Sequence, residues 1–160
     1  MYRLAALPLA LLSACGVHDL EFAAGATRTS PWYETDPIQK PREELTRTVR
    51  ELITRCGYQA PEVAASANYF VTDWEVRMSA HWHDSFRSKL EIELVPLEKG
   101  GFTVRTRSWL EVNNNMFSPS DPNKAEWVGA GVDDRHKDRI NEPALRFHSL
   151  LKFRIFGLNQ

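Results

Sequence analysis

Cysteine is nearly missing from this chain of 160 residues: there are two, Cys15 and Cys56. That excludes a disulfide-dense scaffold and every zinc or iron–sulfur site built from several thiolates. No apolar run approaches the roughly 20 residues of a membrane-spanning helix; the run that starts the chain, Leu4 to Leu12, has nine residues. An excess of one charge is also lacking. Twenty Lys+Arg against 21 Asp+Glu leave −1, which argues against a nucleic-acid partner held by bulk positive charge. There is no Gly-rich phosphate loop, no Gly-x-Ser-x-Gly elbow and no His-Glu-x-x-His helix. Spacing assembles no Ser-His-acid triad, so the sequence offers no catalytic residue and no cofactor site. What remains is 42% hydrophobic and 26% charged, the composition of one globular domain.

The first residues read as an address. Met1-Tyr2-Arg3 supplies one positive charge, the apolar run follows, and Ser13-Ala14 are small. That is the layout of an export signal. A plain secretory signal with a chance cysteine, or a short core helix, are the competing readings. Leu12-Ser13-Ala14-Cys15 resembles the lipobox of bacterial lipoproteins. The resemblance implies cleavage before Cys15, a diacylglyceryl group on its thiol and acylation of the freed amine. Several acyl chains hold far more firmly than one, at roughly 0.8 kcal/mol per buried methylene. Gly16 in place of Asp after the cysteine implies the outer membrane rather than the inner one, with the domain facing the periplasm. Loss of residues 1–14 removes Arg3 and no acid, leaving a mature chain of charge −2. Residues 15–37, rich in Ala, Gly, Thr, Ser and Pro towards their end, read as the lipidated cysteine and a tether. Trp32 and Tyr33 either dock on the domain or sit at lipid headgroups. Residues 38–160 form the domain.

Pro41-Arg42-Glu43-Glu44 opens a helix with proline and acids where spare N–H groups suit them. Leu45, Val49, Leu52, Ile53 and Cys56 make one apolar stripe, and Gly57 supplies the stop. Cys56 closes that stripe; it is a reactive thiol or, with no adjacent His and no Cys-x-x-Cys partner, more plainly a small buried hydrophobe. Period two then predicts three strands. Thr72, Trp74, Val76, Met78, Ala80 and Trp82 share one face of the first. Leu90, Ile92 and Leu94 mark the second, and Phe102 to Val112 the third. Keeping both apolar sets of the second hairpin on one face, with a three-residue loop Glu98-Lys99-Gly100, makes paired numbers sum to 198. Glu93 then faces Arg105, Glu91 faces Arg107 and Arg87 faces Glu111, three favourable cross-strand pairs. Asn113 to Asn123 is a polar loop. A last helix starts near Asn141 or as early as Asp133-Asp134, with Pro143 inside it and a stripe of Ala144, Phe147, Leu151 and Ile155. The expectation is an α+β, two-layer domain: helices on one face of a three-stranded antiparallel sheet, with room for a fourth strand.

Val71-Thr72-Asp73-Trp74 and Arg87-Ser88-Lys89-Leu90-Glu91-Ile92, placed after a lipobox, a tether and an amphipathic helix, resemble a group of small bacterial envelope lipoproteins. Some of these accompany outer-membrane assembly machinery. The likeness covers Leu45 to Val112 and implies an accessory or binding role, with no catalytic residue to carry over.

His81 and His83 sit at i and i+2, a two-ligand start for Zn²⁺ that still needs a third and fourth ligand. Asp84, His136 and His148 reach them only through the tertiary fold, and a surface pair at a hairpin end is the plainer reading. Arg77, Arg87, Lys89, Arg105 and Arg107 make a patch for an anionic lipid or glycan, or else a solvated ion-pair face. Asp133, Asp134 and Asp138 fit a helix start better than a metal site. Trp74, Met78 and Trp82 read as core. The expected function is therefore a membrane-anchored, non-enzymatic scaffold or assembly accessory that binds another envelope component. A small-ligand or metal module on His81 and His83 is the alternative. Mass spectrometry of the membrane-extracted protein should show a chain starting at an acylated Cys15, and Cys15→Ser should abolish the added mass.

Overall fold

A computed structural model describes residues 28–62, 67–81, 84–130 and 134–157. The signal segment, Cys15, Trp82, His83 and Asp133 lie outside these residues. The elements are β1 (Arg28–Thr29), β2 (Tyr33–Glu34), α1 (Arg42–Arg55), β3 (Tyr69–Val71), β4 (Glu75–Arg77), β5 (Phe86–Pro96), β6 (Phe102–Asn113), β7 (Trp127–Gly129) and α2 (Asp134–Phe156). A 3₁₀ turn, Pro122–Lys124, precedes β7. The class is α+β, with both helices on one face of an antiparallel sheet.

The α1 stripe, Leu45, Val49, Leu52, Ile53 and Cys56, is buried along its length, and Gly57 ends the helix at φ 95°. From α2 come Ala144, Phe147 and Leu151, from the sheet Phe70, Leu90, Ile92, Leu94 and Val104, and all join α1 in one core. The last helix starts at the earlier of the two expected points and runs through Pro143. One turn before that proline the Ser108 hydroxyl donates to the Ile140 carbonyl, tying α2 to β6. The β5–β6 register is the expected one, Glu93 opposite Arg105, Glu91 opposite Arg107 and Arg87 opposite Glu111. Gly100 at φ 85° and Gly101 at φ 82° close the loop. At Gly101 a side chain is doubly excluded, because a Cβ would lie 2.6 Å from the Ile38 carbonyl oxygen.

A sheet of three strands is too small. The long β5 and β6 are flanked by five short strands, β3 and β4 along β5, and β2, β1 and β7 along β6. Residues 28–37, within the segment read as tether, thus run beside β6. Strands of two or three residues are too short to carry a period-two signal, and Pro31 and Pro37 interrupt the pattern further.

These flanks are continuous only through side-chain hydroxyls. From Thr29 to Tyr33 the flank takes four steps while β6 takes three, Trp109 to Thr106. From Val71 to Glu75 the other flank takes four while β5 takes three, Glu91 to Ser88. Each is a β-bulge, which moves all later side chains to the opposite face. A third slip separates Glu34, opposite Arg105, from Ile38, opposite Phe102. One device stands at all three. Ser30, Thr35 and Thr72 each donate a backbone N–H to Ser108, Val104 and Leu90. Each returns its hydroxyl oxygen to the N–H of that same residue, at 2.9, 3.0 and 3.0 Å. The hydroxyl stands where a strand carbonyl would, so no buried ladder N–H is orphaned.

The consequence at β4 overturns an expectation. The strand predicted from Thr72 onward breaks at Thr72, and the slip puts Trp74 and Val76 on the helix-free face with Arg87 and Lys89 instead of in the core. Period two runs unbroken through the sequence there, and an extra residue in the backbone leaves no mark in it. Replacing Thr72 with Val keeps shape but orphans the Leu90 N–H. Denaturant unfolding should show a loss of about 1–3 kcal/mol for Thr72→Val and a much smaller loss for Thr72→Ser.

Candidate functional site

With both helices on one side, the opposite face of the sheet carries the odd-numbered residues of β5 and β6. The three expected ion pairs form on it. Arg87 Nε donates to Glu111 at 2.5 Å, Arg105 lies 3.5 Å from Glu93, and Arg107 binds Glu91 through Nε and a terminal nitrogen at 2.6 and 3.0 Å. Glu91 is the hub. Its side chain is 5% exposed, and its carboxylate also accepts the Trp109 indole N–H at 2.7 Å and the Tyr69 hydroxyl. Burial pushes its carboxyl up. The hydrogen bonds from Arg107, Tyr69 and Trp109, with the charge of Arg107, outweigh that and hold it below the usual carboxylate range. Burial, then the bond to Glu91, pushes the Tyr69 phenol up to about 12.

Around this hub four of the five tryptophans alternate with cations. Arg105 and Arg107 lie 5.0 and 4.4 Å from the Trp32 ring centre, and Arg107 also lies 5.4 Å from Trp109. Lys89 follows, 4.9 Å from Trp109 and 4.7 Å from Trp74. Arg87 continues, 4.5 Å from Trp74 and 5.0 Å from Trp127. Each contact is favourable by about 0.5–1 kcal/mol when exposed, so the row is stiffened throughout. Pairing sets Lys89 of β5 directly opposite Trp109 of β6, and Trp74, the residue before β4, flanks Lys89 on its other side.

Lys89 differs from its neighbours. Arg87, Arg105 and Arg107 each have a carboxylate within ion-pair distance, and among the described residues Lys89 has none. It is a half-buried ammonium between two indoles, at the middle of the face. Their low-polarity rings reduce screening and favour one anionic group, a carboxylate or phosphate, above the ammonium. The basic patch is thus mostly a paired face, with a single free charge among the described residues. Arg77 pairs instead with Glu75 at 3.1 Å. Trp74, Trp127 and Trp32 were invisible as members of this row in the sequence, because bulges or two- and three-residue strands place them.

The other candidates do not assemble. His81 is exposed and its carbonyl accepts the Asp84 N–H, while Asp84 pairs with Arg139 at 3.3 Å. His148 lies across the sheet on α2, its ring 6.2 Å from that of Tyr33. His83 and the side chain of His136 lie outside what is described, and among the described residues no three His, Cys, Asp or Glu side chains converge. Asp138 is exposed on the surface of α2. Cys56 is buried, and burial, only partly offset by Arg146 and Arg55, pushes its thiol up, away from the reactive thiolate. A crevice lined by Cys56, Tyr58, Ser88, Arg139 and Arg146 encloses about 20 Å³, room for a water and not for an organic ligand. Compared with known proteins, the chain matches no family model and no curated protein.

Because the folded Glu91 carboxyl titrates below its unfolded value of 4.5, its stabilising contribution is full above about pH 4.5 and is lost as the pH falls through the lower folded value. The stability difference between the native chain and Glu91→Gln should be about 1.5–3 kcal/mol at pH 7. It should hold steady down to about pH 5 and shrink below that in denaturant unfolding.

Proposed function

We propose that this chain is an envelope lipoprotein, anchored through Cys15 in the outer membrane and facing the periplasm, that works by binding another envelope component and not by catalysis. The recognition surface is the helix-free sheet face. The observation that carries this reading is the row Trp74–Lys89–Trp109, a cation held between indoles on a stiff surface, with no carboxylate beside it and no helix over it among the described residues. A surface of this kind has the features of a binding centre: aromatic area, little conformational entropy left to lose, and one charge to match. The signal-like start and lipobox supply the location, and the balanced charge of the chain favours a discrete anionic group on the partner over a polyanion.

The test is photo-crosslinking in cells from two positions of the full chain. Val76 is 45% exposed on the proposed face, and Arg47 is exposed on α1 across the sheet. A photoreactive phenylalanine at 76 should give a discrete adduct that disappears when Lys89→Glu is added, while the same probe at 47 gives none. Adducts equal at both positions, or unchanged by Lys89→Glu, would overturn the assignment of the face.

A further inference from the structure

We infer that the loop after β6 is a second membrane contact, inserting Met116 and Phe117 into the lipid interface beside the acylated Cys15; this rests on the lipoprotein reading above. Phe117 is 90% exposed and Met116 55%, yet the loop that carries them is closely tied. Asn115 Oδ1 accepts the N–H groups of Phe117 and Ser118, both at 3.0 Å, and its amide donates to the Lys124 carbonyl at 2.8 Å. Asn113 Oδ1 accepts from Asn115 and Glu126, at 2.9 and 3.0 Å. The Asn113 amide and the Ser85 hydroxyl both donate to the Pro119 carbonyl, at 3.2 and 2.7 Å. Two apolar side chains are therefore presented to solvent by a frame of side-chain hydrogen bonds, where a slack loop would fold them back on the domain.

The place of this loop in the fold selects the occupant. The chain enters the sheet at Arg28, opposite Leu110, three residues before β6 ends at Asn113. The tether and the loop therefore leave the same end of the sheet, and the β5–β6 turn at Glu98 lies at the other. Cys15 and Arg28 are thirteen positions apart, a span of about 20 Å as a random coil and at most about 45 Å extended. An acylated Cys15 holds that end of the domain within reach of the bilayer. The loop carries no excess of positive charge, since Lys124 lies 3.6 Å from Asp121 and Glu126 follows. Insertion is then apolar and needs no anionic lipid, in keeping with an aromatic side chain at a membrane interface.

The experiment uses the mature lipidated protein in phosphatidylcholine vesicles, with Cys56→Ala so that an introduced thiol carries the only nitroxide. The label is placed at Met116→Cys, or at Glu98→Cys as the distal control. At 116, collisions with oxygen should exceed those with a water-soluble nickel chelate several-fold; at 98 the order should reverse. Adding Phe117→Asp should return the label at 116 to water at both low and high salt. Vesicles that float with the protein while 116 remains as open to nickel as 98 overturn the inference and leave the anchor standing. A label at 116 immobilised but closed to both reagents shows a protein contact instead and also overturns it. Protein that fails to float removes the Cys15 reading, and this inference with it.

Discussion

The antiparallel ladder of eleven residue pairs between β5 and β6 is the constraint from which the other features follow. Its register puts Leu90, Ile92, Leu94 and Val104 under the helices, and Arg87, Lys89, Glu91, Arg105 and Arg107 on the open side. A slip of one residue would exchange the two sets, burying unpaired charge and exposing the core. Both penalties are large, so the register is strongly specified. The Gly100-Gly101 turn and the three cross-strand ion pairs act in the same sense.

The flanking strands obey a different rule. They are too short to hold a register alone, and they slip three times relative to the long strands. At each slip a buried Ser or Thr hydroxyl takes over the acceptor role of a backbone carbonyl. Repetition of one device at Ser30, Thr35 and Thr72 lets each edge bulge without leaving a buried donor unpaired. The bulges also re-aim side chains. Trp74 faces outward only because of the slip that follows Thr72, and Trp32 because of the one that follows Ser30. The aromatic row is thus a product of edge irregularity, laid over a regular centre.

Burying Glu91 on the open face needs the compensation it receives. A carboxylate taken from water is costly unless charged and neutral donors replace that water. Arg107, Trp109 and Tyr69 do so from β6 and β3, which ties the two sides of β5 together through one group. The result is a polar face with the fixed geometry usually found in a core. Among the described residues Lys89 stands out against it as the charge left without a carboxylate, and the binding role proposed for the face follows from that contrast.

Local pattern in the chain was enough to determine α1 with its buried stripe, the Ala144, Phe147 and Leu151 stripe of α2, the hairpin register with its ion pairs, and the burial of Cys56. In each case the information lies in neighbours a few residues apart, or in the parity of two long apolar sets. Tertiary structure alone decided the rest. The short edge strands exist because β5 and β6 offer them unpaired ladders, and Trp32, Trp74 and Trp127 meet the basic residues only across strands distant in sequence. The run Asn113-Asn114-Asn115 shows the difference within a few residues: as sequence it is a polar loop, and in the fold Asn113 and Asn115 become the frame that holds Phe117 in solvent. The physical reason is that periodicity records which face a regular strand buries, whereas a bulge, a hydroxyl standing in for a carbonyl, or a side chain bracing a loop has no period to record.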